Sequence, residues 1–257
     1  MWDPQQYHKF SKERARPFFD LLAQVQRERV GVAVDLGCGT GELTRALAER
    51  WPAARVIGVD NSREMLDQAE AHAIPGRLRF VQADLAAWRA DEPIDLIVSN
   101  AALQWVGDHA GLLSRLADML APGGTLAVQV PSHFLSAAHR AVAETAADPR
   151  WRDKLAGVGL QPGAVQTVLW YAEWLHDHGF AVNAWETTYL HALAGEDAVL
   201  EWMKGTALRP LLKRLTAEEG EEYLRALSVR LRAAYPPRGG VTFFPFNRVF
   251  FIGTRGT

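Results

Sequence analysis

A glycine-rich turn constrains the fold of this chain more than any other feature of its sequence. The stretch VAVDLGCGTGELT combines a buried apolar strand, three glycines (Gly37, Gly39 and Gly41) and the start of a helix that should run to Arg50. Glycine lets the backbone turn tightly and lets a ligand approach without meeting a side chain. This strand–turn–helix unit predicts an α/β protein with a ligand site at the carboxyl end of the strand.

The next hundred residues repeat this alternation of strand and helix. ARVIGVD, LRFVQAD, IDLIVSN and GTLAVQV each follow a helix or a turn, which predicts a doubly wound, mostly parallel sheet. Asn61 or Ser62 is the expected N-cap of the second helix. The Pro122-Gly123-Gly124 stretch is expected to be a turn that separates the helix HAGLLSRLADML from the strand that follows.

The pattern changes beyond Pro131, where the helical segments lengthen. VQTVLWYAEWLHDHGF predicts a helix whose buried stripe includes Leu169, with Gly179 as its C′ residue. AVNAWETTYLHAL and VTFFPFNRVFFIGT are predicted as strands, and residues 196–235 between them as a helical insertion that includes a capping box at 216–219.

Composition limits the classes of function. A chain of 257 residues with a net charge of −2 has no basic face for nucleic acid, and no apolar run is long enough to span a bilayer. Its single cysteine, Cys38, excludes a disulfide framework and a cysteine metal cluster, and is expected to be a small buried residue. The first residues lack the features of a secretory signal, so the cytoplasm is the expected location. Oligomeric state cannot be read from the sequence.

Acidic residues surround the glycine turn. The third glycine falls two residues after the second, and Glu42 occupies the place where the dinucleotide fingerprint has its last glycine. Asp35 before the turn and Glu42 after it would oppose a pyrophosphate and suit a ligand with cationic ends, although Glu42 can also be an ordinary acid of a first helical turn. Asp60 ends the second strand about 20 residues beyond the glycines, where an acid accepts hydrogen bonds from ribose hydroxyls. Asp84 ends the third strand at the same edge of the sheet.

Together these motifs resemble the class I methyltransferases that use S-adenosylmethionine. VDLGCGTGELT, GVDNS, VQADL, NAALQW and LAPGGTLAVQV occur in that order and spacing over roughly the first 130 residues. The resemblance implies a Rossmann-like sheet with its last strand antiparallel. It also implies that Asp35 and the glycine turn hold the methionine part, that Asp60 with the neighbouring Asn61 holds the ribose, and that Asp84 with Leu85 reads the adenine. Asn100 would line the methyl-transfer site, and an N-terminal segment carrying Tyr7 and Arg14 would close over the donor.

A second resemblance covers nearly the whole chain. WDPQQYHKFSKERARPFFDLL, LQW, TTYLH, ALRPLL and the last strand are similar to the trans-aconitate methyltransferase family, whose members make a monomethyl ester of a small tricarboxylic acid. It implies one domain over 1–257, with a lid segment at 1–25, a donor-binding core at 30–131 and an acceptor-side half at 132–257 that the helical insertion caps. Departures between Ser132 and Gln166 leave the identity of the acid open. The Asn/Asp-Pro-Pro-Tyr sequence of amide and adenine N-methyltransferases is missing.

Binding such an acid needs fixed cations and hydrogen-bond donors, but no catalytic base. A carboxylate is already ionised at neutral pH and can attack an activated methyl group directly. Arginine forks bind carboxylates in bidentate fashion. The expected acceptor residues are therefore Gln104, Trp105, Tyr189, His191, Arg209 and Arg248. Five of the six have a structural alternative: an ion pair for Arg248, a solvated helix end for Arg209, and core packing for the aromatic and imidazole side chains.

Three other functions stay open from the residues alone. The acceptor can be another small metabolite or a carrier-bound carboxylate. The same sheet can carry a nicotinamide-dependent oxidoreductase, although the glycine spacing and the acids disfavour it. The chain can also be a protein that binds S-adenosylmethionine without turnover.

Overall fold

The computed structural model describes residues 11–132, 136–158, 165–205 and 207–256. Its seven strands are β1 (Val32–Leu36), β2 (Arg55–Asp60), β3 (Leu78–Gln82), β4 (Ile94–Asn100), β5 (Leu120–Pro131), β6 (Phe180–Ala194) and β7 (Val241–Arg255). The helices up to the middle of the chain are α1 (Ser11–Ala23), α2 (Glu42–Arg50), α3 (Arg63–Ala69), α4 (His109–Met119), α5 (Ala137–Ala146) and α6 (Arg152–Leu155). Those that follow are α7 (Val168–Asp177), α8 (Ala198–Lys204), α9 (Arg209–Leu212) and α10 (Ala217–Ala234).

The strands form one mixed sheet in the order β3-β2-β1-β4-β5-β7-β6. The pairs β1–β2, β1–β4, β2–β3 and β4–β5 are parallel, and the last strand is antiparallel. Every residue of β1 is buried, as expected for a parallel strand whose two faces are both covered. The predicted α/β fold, doubly wound and mostly parallel, is confirmed, and α8, α9 and α10 occupy the predicted insertion between the two final strands.

Local sequence signals mark the ends of several helices. Ser62, the second of the two expected candidates, caps α3 by accepting a hydrogen bond from the Met65 N–H. Thr216 and Glu219 form the predicted capping box of α10. Gly179, just beyond α7, has a φ of 78°, the left-handed conformation expected of a C′ glycine.

Two local predictions are wrong. Pro122-Gly123-Gly124 does not precede β5 but lies within it, where the pairing with β4 shifts register between Ile94 and Leu96. The conformational freedom of the two glycines thus allows an irregular start of β5, and no separate turn precedes the strand. In α7 the buried side chains are Tyr171, Trp174 and Leu175, while Leu169 is 63% exposed. The buried face of α7 therefore differs from the predicted one, because its aromatic residues, which cover more apolar area, face the core.

The chain divides into two compact units. The sheet unit comprises residues 15–131, 163–187 and 249–257, and the helical unit comprises the start of α1 with residues 132–162 and 188–248. The helical unit has its own core, which includes Trp151, Trp202 and Tyr223. The sheet unit buries strands β1, β2, β4 and β5 under helices such as α4 and α7. The predicted single domain, with its division at residue 131, stays a prediction; β6 and β7 each have residues in both units.

Part of the predicted lid segment belongs to the sheet unit. Phe18, Leu21 and Leu22 of α1 are buried there. Tyr7 and the side chain of Arg14 lie outside the described residues. None of the helices in the described ranges has the length and apolar character that a membrane span requires.

Candidate functional site

The glycine turn between β1 and α2 folds in the left-handed conformation that its sequence allows. Gly37, Gly39 and Gly41 have φ values of 85°, 54° and 82°. The Gly37 N–H donates to the Val59 carbonyl at 2.7 Å, which ties the turn to β2. A Cβ atom on Gly37 would lie 2.1 Å from that of Ala102, so this glycine is required for close packing. A Cβ on Gly39 would meet no described atom within 4 Å, so the turn has an open side at Gly39.

Asp35 places a buried carboxylate beneath this turn. Its side chain is only 3% exposed, and its Oδ2 accepts a hydrogen bond from the Thr44 hydroxyl at 2.6 Å. Burial raises the pKa of Asp35 to about 6; the Thr44 hydrogen bond lowers it, and the nearby Asp60 charge adds to the rise. An ionised carboxylate in this position is stabilised by a cation, so the site favours a positively charged ligand. Burial also raises the pKa of the Cys38 thiol, which suits the small buried residue expected there.

Asp60 connects β2 to the glycine turn. Its Oδ2 accepts from the Gly39 N–H at 3.0 Å and its Oδ1 from the Ser62 N–H at 2.9 Å. Each carboxylate oxygen can accept more than one hydrogen bond, so the half-buried group retains capacity for ligand hydroxyls. Asn61 is exposed beside it, and its carbonyl accepts from the Gln82 side chain at 3.2 Å.

Asp84 follows β3 on the same edge of the sheet. The Ala83 N–H donates to the Asp60 carbonyl at 3.0 Å, which extends the β2–β3 pairing past the end of β3. The exposed Asp84 carboxylate accepts from the Ala86 N–H at 2.9 Å, and the half-buried Leu85 packs against the core. The structure therefore brings together at one sheet edge the strand-end acids Asp35, Asp60 and Asp84. Glu42 is exposed in the first turn of α2.

Two buried oxygen atoms, one on the last residue of β4 and one just beyond that strand, have no partner among the described residues. These are the Asn100 Oδ1 and the Gln104 Oε1. The Gln104 Nε2 donates to the Ala101 carbonyl at 2.6 Å, which fixes the amide so that its oxygen points elsewhere. Ala101 has a φ of 54°, a left-handed conformation that costs about 1–2 kcal/mol outside glycine. Such strain is common where side chains are held for binding. Trp105 follows with 54% of its side chain exposed.

A second polar group lies in the helical unit, on β6 and β7. Tyr189, His191 and Arg248 are 4%, 7% and 4% exposed. The Arg248 guanidinium carbon lies 4.8 Å from the Phe246 ring centroid and 5.9 Å from that of Tyr189. The His191 ring stacks on Trp202 with centroids 4.5 Å apart. Buried and exposed positions alternate along β7 from Thr242 to Arg248, so the Arg248 side chain lies on the same buried face as Phe246. Arg209 lies half-buried at the first position of α9.

The sequence did not single out two residues that hold these side chains. Thr44, fully buried, anchors the Asp35 carboxylate, and His109 hydrogen-bonds the segment after β4. A polar residue on the inward face of a helix was the available signal at Thr44. His109 follows the N-cap Asp108, a position at which a buried ring is not expected from the sequence.

The chemistry of the sheet-unit site is that of a cationic nucleoside site. A buried acid suits an ammonium or a sulfonium, and the strand-end acid of β2 suits ribose hydroxyls. Two free amide oxygens add further acceptors. Within the described ranges, no three His, Cys, Asp or Glu side chains are placed to hold a metal ion.

Comparisons with known proteins agree with that chemistry. A family model described as a methyltransferase domain matches residues 33–124. A trans-aconitate 2-methyltransferase from Streptomyces avermitilis is 51% identical, with 98% of this chain and 96% of the relative covered. Proteins of the same name from Azoarcus sp. and Mycobacterium tuberculosis are each 44% identical, with at least 97% of both chains covered.

Solved structures share the fold at low identity. The YcgJ protein from Bacillus subtilis superposes with a TM-score of 0.61 at 15% identity, covering 94% of this chain and 99% of that one. A methyltransferase from Geobacter sulfurreducens, solved with S-adenosylhomocysteine, gives a TM-score of 0.56 at 19% identity, covering 99% and 92%.

Proposed function

This chain belongs to the trans-aconitate 2-methyltransferase family, and we propose that it methylates one carboxyl group of trans-aconitate to form a monomethyl ester. The methyl donor is S-adenosylmethionine. The observation that supports the choice of acceptor is the buried Arg248, whose guanidinium carbon lies 5.9 Å from the Tyr189 ring centroid. A guanidinium out of water favours an anionic ligand.

On the donor side, the acids of the sheet edge take different parts of the donor. Asp35 binds the ammonium of the methionine part, because its buried carboxylate gains most from a cation. Asp60, with Asn61 beside it, accepts from the ribose hydroxyls. Asp84 and Leu85 hold the adenine, and the open side of the turn at Gly39 admits the ligand. Tyr7 and Arg14 are proposed to close over it.

On the acceptor side, the residues bind and orient a carboxylate that needs no deprotonation. S-adenosylmethionine supplies a methyl group on a positively charged sulfur, which an ionised carboxylate attacks directly. Arg248 offers a planar set of donors to one carboxylate, and Tyr189 and His191 donate to further oxygens. The remaining acceptor residues are proposed to be Arg209, Gln104 and Trp105. Alignment of this kind supplies about 7–11 kcal/mol of a barrier.

The proposed cellular location follows from the same substrate. A small, highly charged acid is a cytoplasmic metabolite, so we place the enzyme in the cytoplasm, without nucleic-acid or membrane partners. The net charge of the chain, −2, gives no reason to expect otherwise.

The test is methyl transfer to a panel of acids. Purified protein is incubated with S-adenosylmethionine and with trans-aconitate, cis-aconitate, citrate, a dicarboxylate, a monocarboxylate or a malonyl carrier protein, and the ester and S-adenosylhomocysteine are measured by mass spectrometry. We expect trans-aconitate to give the highest kcat/KM. Absence of an ester with every di- and tricarboxylate would refute the proposal, and heat on titration with NAD but not with S-adenosylhomocysteine would favour an oxidoreductase.

Variants of Arg248 test the acceptor side in the same assay. Arg248→Met should raise the KM for the acid roughly 100-fold, about 2.7 kcal/mol, and leave S-adenosylhomocysteine affinity unchanged. Arg248→Lys should recover only part of this loss, because an ammonium lacks the bidentate geometry. Arg230→Met is the matched control: it removes an arginine of the same unit that pairs with Glu144 at 2.8 Å on the surface. An unchanged KM in Arg248→Met would make this arginine structural.

A further inference from the structure

His109 connects the segment after β4 to helix α7. It is the first residue of α4 and is only 3% exposed. Its ring Nε2 lies 2.9 Å from the Leu103 carbonyl oxygen, and its Nδ1 lies 2.5 Å from the Tyr171 hydroxyl. Tyr171 is itself fully buried and stacks on Phe251 with ring centroids 4.2 Å apart. Both ring nitrogens of His109 are therefore engaged within the sheet unit.

The partners of this histidine fix its tautomer. A carbonyl oxygen can only accept, so the Nε2 must carry the proton that it donates to Leu103. The Tyr171 hydroxyl accepts from the Gln166 N–H at 3.1 Å and has one proton to donate, which points to the bare Nδ1. Burial keeps the ring neutral because it lowers the pKa of His109. The result is a directed chain of hydrogen bonds from Gln166 through Tyr171 and His109 to Leu103.

This chain ends on the segment that presents the unpartnered amide oxygen. Leu103–Trp105 forms a single 3₁₀ turn, and Gln104 in its middle is 6% exposed. The turn begins two residues after the left-handed Ala101, so its own backbone is not in a relaxed conformation. The Gln104 Nε2 is tied to the Ala101 carbonyl. His109 bonds to the first residue of the turn from outside it.

We propose that His109, held in one tautomer by Tyr171, is a positioning residue for methyl transfer that keeps the Gln104 amide in its working orientation. The proposal rests on the proposed function, since Gln104 is placed there among the acceptor residues. His109 acts through Leu103, since its two ring nitrogens are bonded to Tyr171 and Leu103. A displacement of about 1 Å at a reacting group can cost roughly 100-fold in rate, which gives such an anchor a measurable effect.

The experiment compares two ways of breaking the chain of hydrogen bonds with two matched controls. Tyr171→Phe keeps the ring stack and removes the hydroxyl, and His109→Leu removes both ring nitrogens. His109→Gln is the conservative variant, because its amide can still donate to Leu103. Tyr223→Phe removes another buried tyrosine hydroxyl, which donates to Val142 in the helical unit. His178→Gln alters a histidine bonded to the Trp174 carbonyl on α7.

Two measurements are made on each folded variant. The first is kcat and KM with the best acid, together with S-adenosylhomocysteine affinity. The second is hydrogen exchange of the Gln104 side-chain amide by NMR, identified by its loss in Gln104→Met. Tyr171→Phe and His109→Leu should lower kcat roughly 10- to 100-fold and speed the amide exchange, while nucleoside affinity is kept. His109→Gln should retain more activity than His109→Leu, and both controls should behave like the native protein apart from stability.

The outcomes separate positioning from plain stabilisation. Unchanged kcat in Tyr171→Phe and His109→Leu, or unchanged exchange of the Gln104 amide, overturns the proposal even where the melting temperature falls. A loss of activity that matches a loss of S-adenosylhomocysteine affinity overturns it as well. If the native protein esterifies no acid, the proposed function fails, and the amide exchange alone decides whether His109 positions Gln104.

Discussion

The sheet unit and the helical unit assemble polar side chains in different ways. In the sheet unit, Asp35, Asp60 and the glycine turn lie on successive elements, and their hydrogen bonds go largely to backbone groups of neighbouring turns. In the helical unit, Tyr189 and Arg248 belong to two strands separated in sequence by three helices, and the Arg248 guanidinium packs near the rings of Tyr189 and Phe246. A group bonded to nearby backbone is placed by local chain geometry, whereas one packed among rings depends on the whole unit.

The two units also differ in how the pKa of a buried or half-buried acid is shifted. Burial raises the pKa of Asp35 in the sheet unit. In the helical unit the Arg232 guanidinium, together with the Ser228 hydroxyl, holds the pKa of Asp197 below its usual value. Among the described residues no cation pairs with Asp35, whereas Arg232 pairs with Asp197. Buried groups that stay unsatisfied at the expense of stability are typical of ligand sites.

The largest effect expected from this contrast is that of Asp35→Asn. The folded pKa of Asp35, about 6, lies above its usual 3.8, so its stabilising contribution is complete below pH 3.8 and is lost as pH rises through 6. The asparagine variant escapes this loss and should be roughly 2 kcal/mol more stable than the native protein at pH 8. The gain should vanish near pH 4. S-adenosylhomocysteine affinity should fall at least roughly 100-fold, since a neutral amide does not attract an ammonium.

Asp197→Asn is the control with the opposite sign. Because the pKa of Asp197 is lowered in the folded protein, its contribution is present above the usual pKa and is lost as pH falls through the folded value. This variant should therefore be less stable at pH 8, with a difference that shrinks in acid, and should bind S-adenosylhomocysteine normally. Urea unfolding between pH 4 and 8 measures both. If Asp35→Asn were less stable than the native protein at pH 8, this would contradict the proposal that the Asp35 carboxylate binds a cationic group.

Sequence reasoning predicted the strand ends, the glycine turn and a helix cap correctly because each depends on a few neighbouring positions. Asp35 and Gly37 follow from a strand, a turn and a helix in direct succession, and Ser62 from an N-cap beside a strand end. The bonding partners of those residues were not predictable. The contact of His109 with Tyr171 requires α4 and α7 to pack together, and it joins residues 62 positions apart.

The two wrong local predictions also result from contacts between residues distant in sequence. Leu169 was assigned to the buried stripe of α7 by period alone, whereas the packing of Tyr171 and Trp174 against the core sets the rotation of the helix. The Pro122–Gly124 stretch has turn composition, but pairing with β4 includes it in β5. Local composition limits what a segment can do, and tertiary packing selects among those possibilities.

A smaller effect is expected where a glycine faces open space. Gly39→Ala strains a residue with a φ of 54°, and no described atom lies within 4 Å of the added methyl group. Gly239, in the helical unit, is matched to it, with a φ of 57° and equally open surroundings. Each alanine should therefore cost about 1–2 kcal/mol of unfolding free energy. Only Gly39→Ala should also weaken S-adenosylhomocysteine binding, at least roughly ten-fold, because its methyl group occupies the proposed path of the ligand.

Calorimetric titration and urea unfolding of the two glycine variants give the comparison directly. Equal affinities would mean that the open side of the turn is not where the nucleoside lies. A much larger stability loss in Gly39→Ala than in Gly239→Ala would show that the turn is closed in solution.

The smallest effect compares one threonine N-cap in each unit. Thr216 accepts from the Glu219 N–H at 3.3 Å and begins α10, whereas Thr167 accepts from the Trp170 N–H at 3.2 Å and begins α7. Replacing either by alanine should cost about 1 kcal/mol, since each loses one hydrogen bond to a helix end.

The two cap variants should differ in kcat although they lose similar amounts of stability. Thr216→Ala loosens a helix whose role is to fill the core of its own unit, so kcat, KM and nucleoside affinity should remain native. Thr167→Ala loosens the first turn of the helix that carries Tyr171, and should lower kcat slightly while leaving S-adenosylhomocysteine affinity intact. Steady-state kinetics at a temperature well below unfolding measures this. If Thr216→Ala lowered kcat and Thr167→Ala did not, the anchor of the Gln104 segment would have to be sought in the helical unit, and the division of roles between the two units would be reversed.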